Sequence, residues 1–451
     1  LTGPGEASDT SRVVTKPVDS TTQVRPVSGR SSRPVGRWLV PVYSGGKVLS
    51  TPGIRLTQGP VTLGRAPEDP RGLRLDDPAA SRQHADVQSA SGGGFEVVDR
   101  NSRNGTEVDG RPATRAALEP GTVIRVGDSF VVFVEVELPA GIDDLEPAGV
   151  SLSWAVSSRL ADLAAPSSLP VLLSGPTGAG KELLAQRIHQ KSGRSGPLLP
   201  VNCGAMSSEL LASELFGHVA GAYTGAQSAR SGLFVAAHGG SLFLDEVGEL
   251  PLDQQPALLR VLQEGRVRPV GTDRERPVDV RIIAATHRSL PASVEAGGFR
   301  RDLYHRLAGF EIRVEGLARR REDILRLFGQ FAGAPLEPSV ADALLRYDWP
   351  GNVREVKAVA QQAQLLAAGR PIERDHLPAS VREGPSRVVP PDGEASASSE
   401  GEAPSREELE ALLRRHDGNV ASVGRDLGRH RQQVYRWLKR YGLDPSVFRS
   451  E

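Results

Sequence analysis

An apolar run, Val171-Leu172-Leu173, leads directly into Gly175-Pro176-Thr177-Gly178-Ala179-Gly180-Lys181-Glu182, and a helix-forming stretch continues to Lys191. Glycine-rich backbone between a strand and a helix N-terminus offers N–H groups to phosphate oxygens, with the lysine as counter-charge. Downstream, Leu242-Phe243-Leu244 ends in Asp245-Glu246, one carboxylate for a metal ion and a second to polarise water. The spacing predicts ATP hydrolysis with Mg2+. Residues Gly175 to Glu182 surround the phosphates, Lys181 neutralises the β and γ groups, Asp245 holds the metal and Glu246 activates the attacking water. Position 182 is Glu where the general pattern has Ser or Thr, so the metal leans on Asp245, water and phosphate oxygens.

Between these two motifs lies Gly221-Ala222-Tyr223-Thr224-Gly225-Ala226. Such a run packs poorly in a core but suits an exposed loop tip, where glycine gives mobility and the ring gives a partner something to grip. A nucleotide site with a projecting loop inserted in it reads as a motor that pushes on something.

Two further groups of residues carry recognition chemistry. Gly64-Arg65, Ser81-Arg82-Gln83-His84 and Asn101-Ser102-Arg103-Asn104-Gly105-Thr106 fall in a strand-rich stretch. A guanidinium and a hydroxyl suit a phosphate, and the Asn104 amide suits a peptide backbone, although Asn-Gly by itself is equally a hairpin turn. Near the C-terminus, Ser405 with Glu408 forms a capping-box pattern ahead of a helix from Arg406 to His416, and a second helix spans about Val420 to Leu427. A third runs from about Arg431 to Tyr441, with Val434, Leu438 and Tyr441 as its buried stripe. Its other faces carry Arg431, Gln432, Gln433, Arg436, Lys439 and Arg440. Arginine and glutamine match base edges and the remaining cations match DNA phosphates, although a basic helix seen alone is equally a solvated one.

These motifs need elements to position them, and the 451 residues allow about three domains. Residues 1–35 are polar, lack apolar periodicity and read as a disordered tail; the chain begins with Leu, so the true start is open. Residues 36–138 alternate short apolar runs with turns, the pattern of an all-β sandwich. Residues 139–149 form a short acidic link. From 150 to 310 apolar strands alternate with helical stretches, predicting an α/β unit with a parallel sheet. A helical segment follows over 311–380. Residues 381–404, rich in Pro, Ser, Gly and Glu, read as a flexible linker, and 405–447 as an all-α helix-turn-helix. The formal charge is zero, so any basic surface is local. The single Cys203 excludes an internal disulfide framework and fits a reducing cytoplasm. No run approaches the roughly 20 apolar residues of a membrane span, so a membrane partner is not expected.

Over about 150–380 the chain resembles the bacterial enhancer-binding AAA+ activators of sigma-54 RNA polymerase. The resemblance rests on Val201-Asn202-Cys203, Ser213-Glu214-Leu215-Phe216-Gly217-His218, the 221–226 loop, Leu258 to Glu264, Phe299-Arg300-Arg301-Asp302-Leu303-Tyr304 and Trp349-Pro350-Gly351-Asn352-Val353-Arg354-Glu355. It implies an ATPase with a helical lid whose 221–226 loop contacts the sigma-54 holoenzyme, with Tyr223 in place of the usual phenylalanine. It also implies that Asn202 restrains Glu246 and that Thr286 belongs to the nucleotide sensor. Arg300 and Arg306 would be arginine fingers for the next subunit, and Arg354 a sensor on the lid. Fingers acting between subunits imply a homo-oligomeric ring, usually a hexamer, built from DNA-bound dimers. Three departures stand out: His287 follows Thr286 where Asn is usual, Val219-Ala220 replaces Glu-Lys after His218, and the segment from Ile324 to Trp349 is short.

Residues 36–138 resemble the forkhead-associated (FHA) domain, a phosphothreonine reader. This implies Arg65 and Ser81 on the phosphate with Arg82 assisting, Asn104 on the peptide, and Gly64 and His84 shaping the loops. The C-terminal helices resemble the Fis-type helix-turn-helix, implying enhancer DNA as ligand, with Arg429 at a turn position that is commonly apolar. Together these resemblances imply a cytoplasmic activator controlled by a phosphothreonine-bearing protein or peptide, or by the chain's own Thr-containing tail. Two rivals remain from other classes: a DNA-binding repressor with a vestigial ATPase, and a phosphopeptide scaffold whose ring merely oligomerises.

Overall fold

The computed structural model describes residues 35–139 apart from 52 and 58, then 151–222, 228–383, 404–416 and scattered positions between 423 and 448. The expected tail before residue 35, the loop-tip residues Tyr223, Thr224, Gly225 and Ala226, most of the 381–404 linker, and Arg431, Gln432, Gln433, Arg436 and Lys439 lie outside the described residues. The chain separates into one unit up to residue 386 and a second beyond it.

The first unit begins with a β-sandwich of a seven-stranded and a five-stranded sheet. Its central ribbon pairs β1 (Val35–Ser44) with β2 (Ser129–Glu137) antiparallel, from Val35 opposite Glu137 to Tyr43 opposite Phe130. Successive side chains on a strand point to opposite faces. Here both faces are covered. Leu39, Val131 and Phe133 fill the sandwich interior with Leu63, Val87, Val97 and Ile124. Trp38, Val42, Phe130, Val132, Val134 and Val136 point the other way, into a second core.

The α/β part places five parallel strands behind the phosphate loop. They are β3 (Val171–Ser174), β4 (Leu198–Asn202), β5 (Ser241–Asp245), β6 (Arg281–Thr286) and β7 (Phe310–Arg313), in the order β4-β5-β6-β3-β7. Their near-continuous apolar character follows from burial on both faces by helices. Helix α1 (Leu152–Ala164) starts on a Ser151 cap, whose hydroxyl accepts from Trp154 N at 3.2 Å. At its other end the buried Arg281 guanidinium donates to the carbonyls of Ala164 (2.7 Å) and Ala165, satisfying acceptors that a helix C-terminus leaves open. Helix α2 (Lys181–Lys191) begins at the last glycine of the phosphate loop.

The lid consists chiefly of α3 (Ile324–Ala332), α4 (Pro338–Arg346) and α5 (Asn352–Ala367). Its apolar residues Ile324, Leu325, Phe328, Leu344 and Trp349 share one continuous core with the outer face of the sandwich. Polar contacts edge that junction. Tyr43 donates its hydroxyl to the Leu336 carbonyl at 2.7 Å, and Arg321 bonds Asp109 at 3.3 Å. The sandwich and the lid therefore bury their apolar surfaces against each other.

In the second unit, the helix Arg406–Arg415 carries the reciprocal cap read from the sequence: Glu408 N to Ser405 Oγ at 3.2 Å and Ser405 N to Glu408 Oε2 at 2.9 Å. Leu409, Leu413, Val423, Val434, Trp437 and Leu438 make its core, with Tyr441 packed against it. The stripe Val434, Leu438 and Tyr441 thus faces inward. Among the described residues no helix is long and apolar enough to cross a membrane.

Candidate functional site

Parallel strands bring their C-terminal ends to one edge, and there the sheet collects the candidate nucleotide residues. Ser174 lies opposite Thr286 and Asn202 opposite Asp245, while Gly175 N donates to the Thr286 carbonyl at 3.1 Å. Lys181 is buried and donates from Nζ to the carbonyls of Gly175 (2.8 Å) and Pro176 (3.2 Å). Burial lowers its pKa, opposed by the nearby charges of Glu246 and Asp245 and reinforced by Arg354. Burial likewise raises the Asp245 carboxyl, with Glu246 adding to the effect and Lys181 opposing it. A half-buried carboxylate pair beside one lysine favours a further cation. Among the described residues no three metal-ligating side chains converge. The Asp245 carboxylate is a hard oxygen donor that fits an ion such as Mg2+, whose other ligands would be phosphate and water. Glu182 is exposed on the first turn of α2, and its charge contributes to the raised Asp245 pKa.

The phosphate loop is also tied to the lid. Thr177 O accepts from Asn352 Nδ2 at 3.0 Å, Gly178 O from Val353 N at 3.0 Å and Ala179 O from Arg320 Nη2 at 2.6 Å. Asn352 also accepts from Leu317 N at 2.8 Å through its side-chain oxygen, and Arg320 lies over the Trp154 ring. Arg354 projects from the same helix, its Cβ close to Gly178. Sequence reasoning named Arg354 but gave no role to Asn352 or Arg320. Asn352 stood within a recognised motif; Arg320, one of five consecutive charged residues, carried no signal.

The other candidate residues lie around the same edge or on its outer surface. Asn202 accepts from Gly204 N at 2.9 Å, whereas the Glu246 carboxylate is held by His287 at 2.5 Å. In this state Glu246 is restrained by a side chain on β6's end rather than by Asn202 on β4. Thr286 is buried and its hydroxyl accepts from Arg288 N at 3.0 Å. Arg300 forms a two-point pair with Asp302 (3.1 and 2.8 Å), and Arg306 donates to the Leu262 carbonyl (3.1 and 2.9 Å). Both arginines are solvent-facing, and neither bonds a group of its own phosphate loop. Cys203 is buried and its thiol is pushed up to about 12, chiefly by burial, which keeps it protonated and unreactive.

Gly221 and Ala222 leave a short hairpin stem in which Gly217 pairs with Ser231 and His218 with Arg230. The buried His218 joins both arms, with Nδ1 at 2.8 Å from Ser213 Oγ and Nε2 at 3.0 Å from the Ser228 carbonyl. Across the stem, Val219 N donates to Val270 O and Val270 N to Gly217 O. The histidine thus supplies a polar tie in a stem whose following residues, Val219 and Ala220, have none to offer.

In the sandwich, the candidate phosphate loops come together. Arg65 N donates to the Ser81 carbonyl and Ala66 N to the Arg82 carbonyl, each at 3.1 Å. His84 is fully buried, accepts from Ser81 N at 3.1 Å and donates from Nε2 to the Gly105 carbonyl at 3.0 Å. It therefore ties the serine loop to the asparagine loop. Asn104 donates to the Ala79 carbonyl at 2.8 Å, and the Ser81 hydroxyl accepts from Arg103 N at 3.1 Å. Burial opposes ionisation of Asp99, but hydrogen bonds from Ser102 and Thr106 hold its carboxyl below the ordinary range. Arg65, Arg82 and Arg103 are exposed and make no ion pair among the described residues, an arrangement that favours an anion. Arg103 is the addition here, since it stood within the Asn101–Thr106 motif without a role of its own.

Models of known families match along the chain: an FHA domain at 61–127, a sigma-54 interaction domain at 149–313, an AAA+ ATPase lid domain at 318–392 and a homeodomain-like domain at 403–446. The transcriptional regulatory protein GlrR of Escherichia coli K12 is 43% identical over 300 residues, covering 64% of this chain and 66% of GlrR. ZraR of the same strain is 41% identical over 320 residues, covering 68% and 71%. The nitric oxide reductase transcription regulator NorR1 of Cupriavidus necator is 41% identical over 330 residues, covering 66% and 64%. The chain thus spans about two thirds of the length of the relatives it matches. A crystal structure of NtrX from Brucella abortus in complex with ATP aligns with 65% of this chain and 68% of its own at 32% identity, with a TM-score of 0.47. With an AAA+ core and lid, an FHA domain before them and a helix-turn-helix domain after them, the chain belongs to the family of sigma-54-dependent transcriptional regulators.

Proposed function

We propose that this protein is a cytoplasmic activator that binds enhancer DNA through its C-terminal unit and assembles into a ring, a hexamer of DNA-bound dimers. The ring hydrolyses ATP with Mg2+ and moves the 221–226 loops against sigma-54 RNA polymerase holoenzyme to open a promoter. The observation that carries this reading is the sheet edge where Lys181, Asp245 and Glu246 lie beside the phosphate loop. Lys181 and the loop amides would hold the phosphates, Asp245 the metal, and Glu246 would take up the proton of the attacking water. Mg2+, when bound, supplies charge neutralisation across the phosphates. Arg300 and Arg306 face solvent, where a neighbouring subunit's nucleotide would sit. Arg354 reports nucleotide to the lid of its own subunit.

The sandwich is assigned to control. Its Arg65, Ser81, Arg82 and Asn104 loops would bind a phosphothreonine-bearing protein or peptide, and its outer face packs on the lid. Such a peptide acts on hydrolysis through the lid. In vitro transcription with sigma-54 polymerase and ATP, with phosphorylated against plain peptide, tests both halves. Promoter opening is expected to require Glu246 and to respond to the phosphorylated peptide only when Arg65 is present. Opening that survives Glu246→Gln, or a peptide response that survives Arg65→Ala, would refute the corresponding half.

A further inference from the structure

Glu246 sits on an unusual piece of backbone. Its φ of 52° and ψ of 47° are left-handed, a conformation that costs a non-glycine residue energy and persists only where the surroundings enforce it. What enforces it is the end of β6. Arg288 bonds Glu249 at 2.6 Å, and its own N–H is held by the Thr286 hydroxyl at 3.0 Å. Gly248 lies so close that an added Cβ would come within 2.7 Å of Thr286 Oγ1. The turn at 246–249 is therefore fastened to residues 286–288 independently of any contact made by Glu246 itself.

Within this fastened pair of segments, His287 donates to Glu246 twice at the same oxygen. Nδ1 lies 2.5 Å and the backbone N 3.3 Å from Oε2. Oε1 accepts from no group among the described residues. The Glu246 side chain is 15% exposed and that of His287 41%, so the pair stands at the mouth of the site rather than in the core. A carboxylate anchored through one oxygen presents the other in a fixed direction, the arrangement a proton acceptor needs to meet a water in line with a phosphate.

We propose that His287 is the positioning residue for Glu246, holding Oε2 so that Oε1 faces the attacking water. This rests on the reading of Glu246 as the water-activating group. It assigns His287 a task that neither Asn202 nor Thr286 performs here, because neither side chain bonds Glu246. His287 acts through the glutamate and not on the nucleotide, so its loss changes turnover and leaves nucleotide affinity alone.

The test uses the full chain. His287→Ala is expected to lower kcat about ten- to a hundredfold, the loss of a hydrogen bond to a charged group. KM and the Kd for a fluorescent ATP analogue stay within about twofold. His287→Asn, which keeps an N–H donor near the Nδ1 position, is expected to recover most of kcat. An unchanged kcat in His287→Ala, equal losses in the Ala and Asn variants, or a loss confined to KM would overturn the assignment. Independently of hydrolysis, nitrogen-15 NMR of nucleotide-free protein should show one imidazole N–H resonance that disappears in His287→Ala and shifts in Glu246→Gln. A resonance indifferent to Glu246→Gln also overturns it. If ATP hydrolysis instead survives Glu246→Gln, the underlying reading falls and the role of His287 with it, while the resonance still reports whether the pair exists.

Discussion

Glu322 is a carboxylate the fold should not tolerate in its charged form. It lies in the turn Arg321–Asp323, which packs on the β1–β2 ribbon beneath the lid, and neither oxygen accepts a hydrogen bond from any described residue. Its neighbour Asp323 takes the cations instead, accepting from Arg326 at 2.8 Å and Arg320 at 3.3 Å. Burial, with the Asp323 charge adding to it, pushes Glu322 from an ordinary 4.5 up to about 8. The sign follows from the direction: an acid that holds its proton more tightly in the folded state stabilises that state fully below 4.5, and the benefit is lost as pH rises through about 8. Each pH unit in that window costs about 1.4 kcal/mol, and the whole window about 5 kcal/mol. Glu322→Gln removes the titration while preserving shape. Urea unfolding between pH 5 and 9, followed by tryptophan fluorescence, suits the question because Trp38 and Trp349 both lie in the core shared by sandwich and lid. The wild type should lose stability with rising pH relative to the variant, with the difference levelling off above about pH 8. Parallel profiles for the two proteins would refute the reasoning.

Asn352→Ala removes the side chain that joins the phosphate loop to the lid hinge; a weakening of ATP binding by about tenfold is expected from the lost bonds to Thr177 and Leu317, read by nucleotide titration. Gly64→Ala would place a Cβ 2.2 Å from the Arg82 carbonyl, so the loops carrying Arg65 and Ser81 should move apart and the sandwich should melt several degrees lower by calorimetry. Phe130→Ala opens the junction between sandwich and lid, where Phe130 is 1% exposed; the expected cost is about 3–5 kcal/mol in denaturant unfolding. Arg65→Ala should abolish binding of a phosphothreonine peptide by titration calorimetry without changing the melting temperature, since Arg65 is exposed and makes no ion pair among the described residues.

The sequence made the nucleotide site legible because strand, loop and helix are contiguous there, and the motif and its scaffold are one local object. The same holds for the cap at Ser405 and Glu408, which is decided within four residues. What it hid were contacts between distant segments. His287 and Glu246 are 41 positions apart and Asn352 and Thr177 are 175 apart, so neither pairing has a local signature. One signal was present and under-read. Phe130-Val131-Val132-Phe133-Val134 is continuously apolar, whereas a sandwich strand with one wet face alternates. That run announces a strand covered on both sides, and the second cover is the lid.

This double covering has a mechanical consequence. A domain joined to a ring only by a flexible link can influence it through occupancy alone, but a domain that shares a core with the lid moves when the lid moves. The lid in turn holds three successive phosphate-loop carbonyls through Asn352, Val353 and Arg320. Interiors are packed too densely to deform gradually, so a displacement at one end of such a chain of contacts must be met by a rigid shift at the other or by separation at the weakest layer. The polar ties at the sandwich–lid boundary include the Tyr43 and Arg321 contacts and the Arg346–Glu107 pair, and the boundary also encloses a carboxylate that gains hydration on opening. That boundary is therefore where the first unit should part. A peptide bound at the Arg65 and Ser81 loops need not touch the nucleotide site to alter it; it need only prefer the sandwich with its outer face either covered by the lid or released from it.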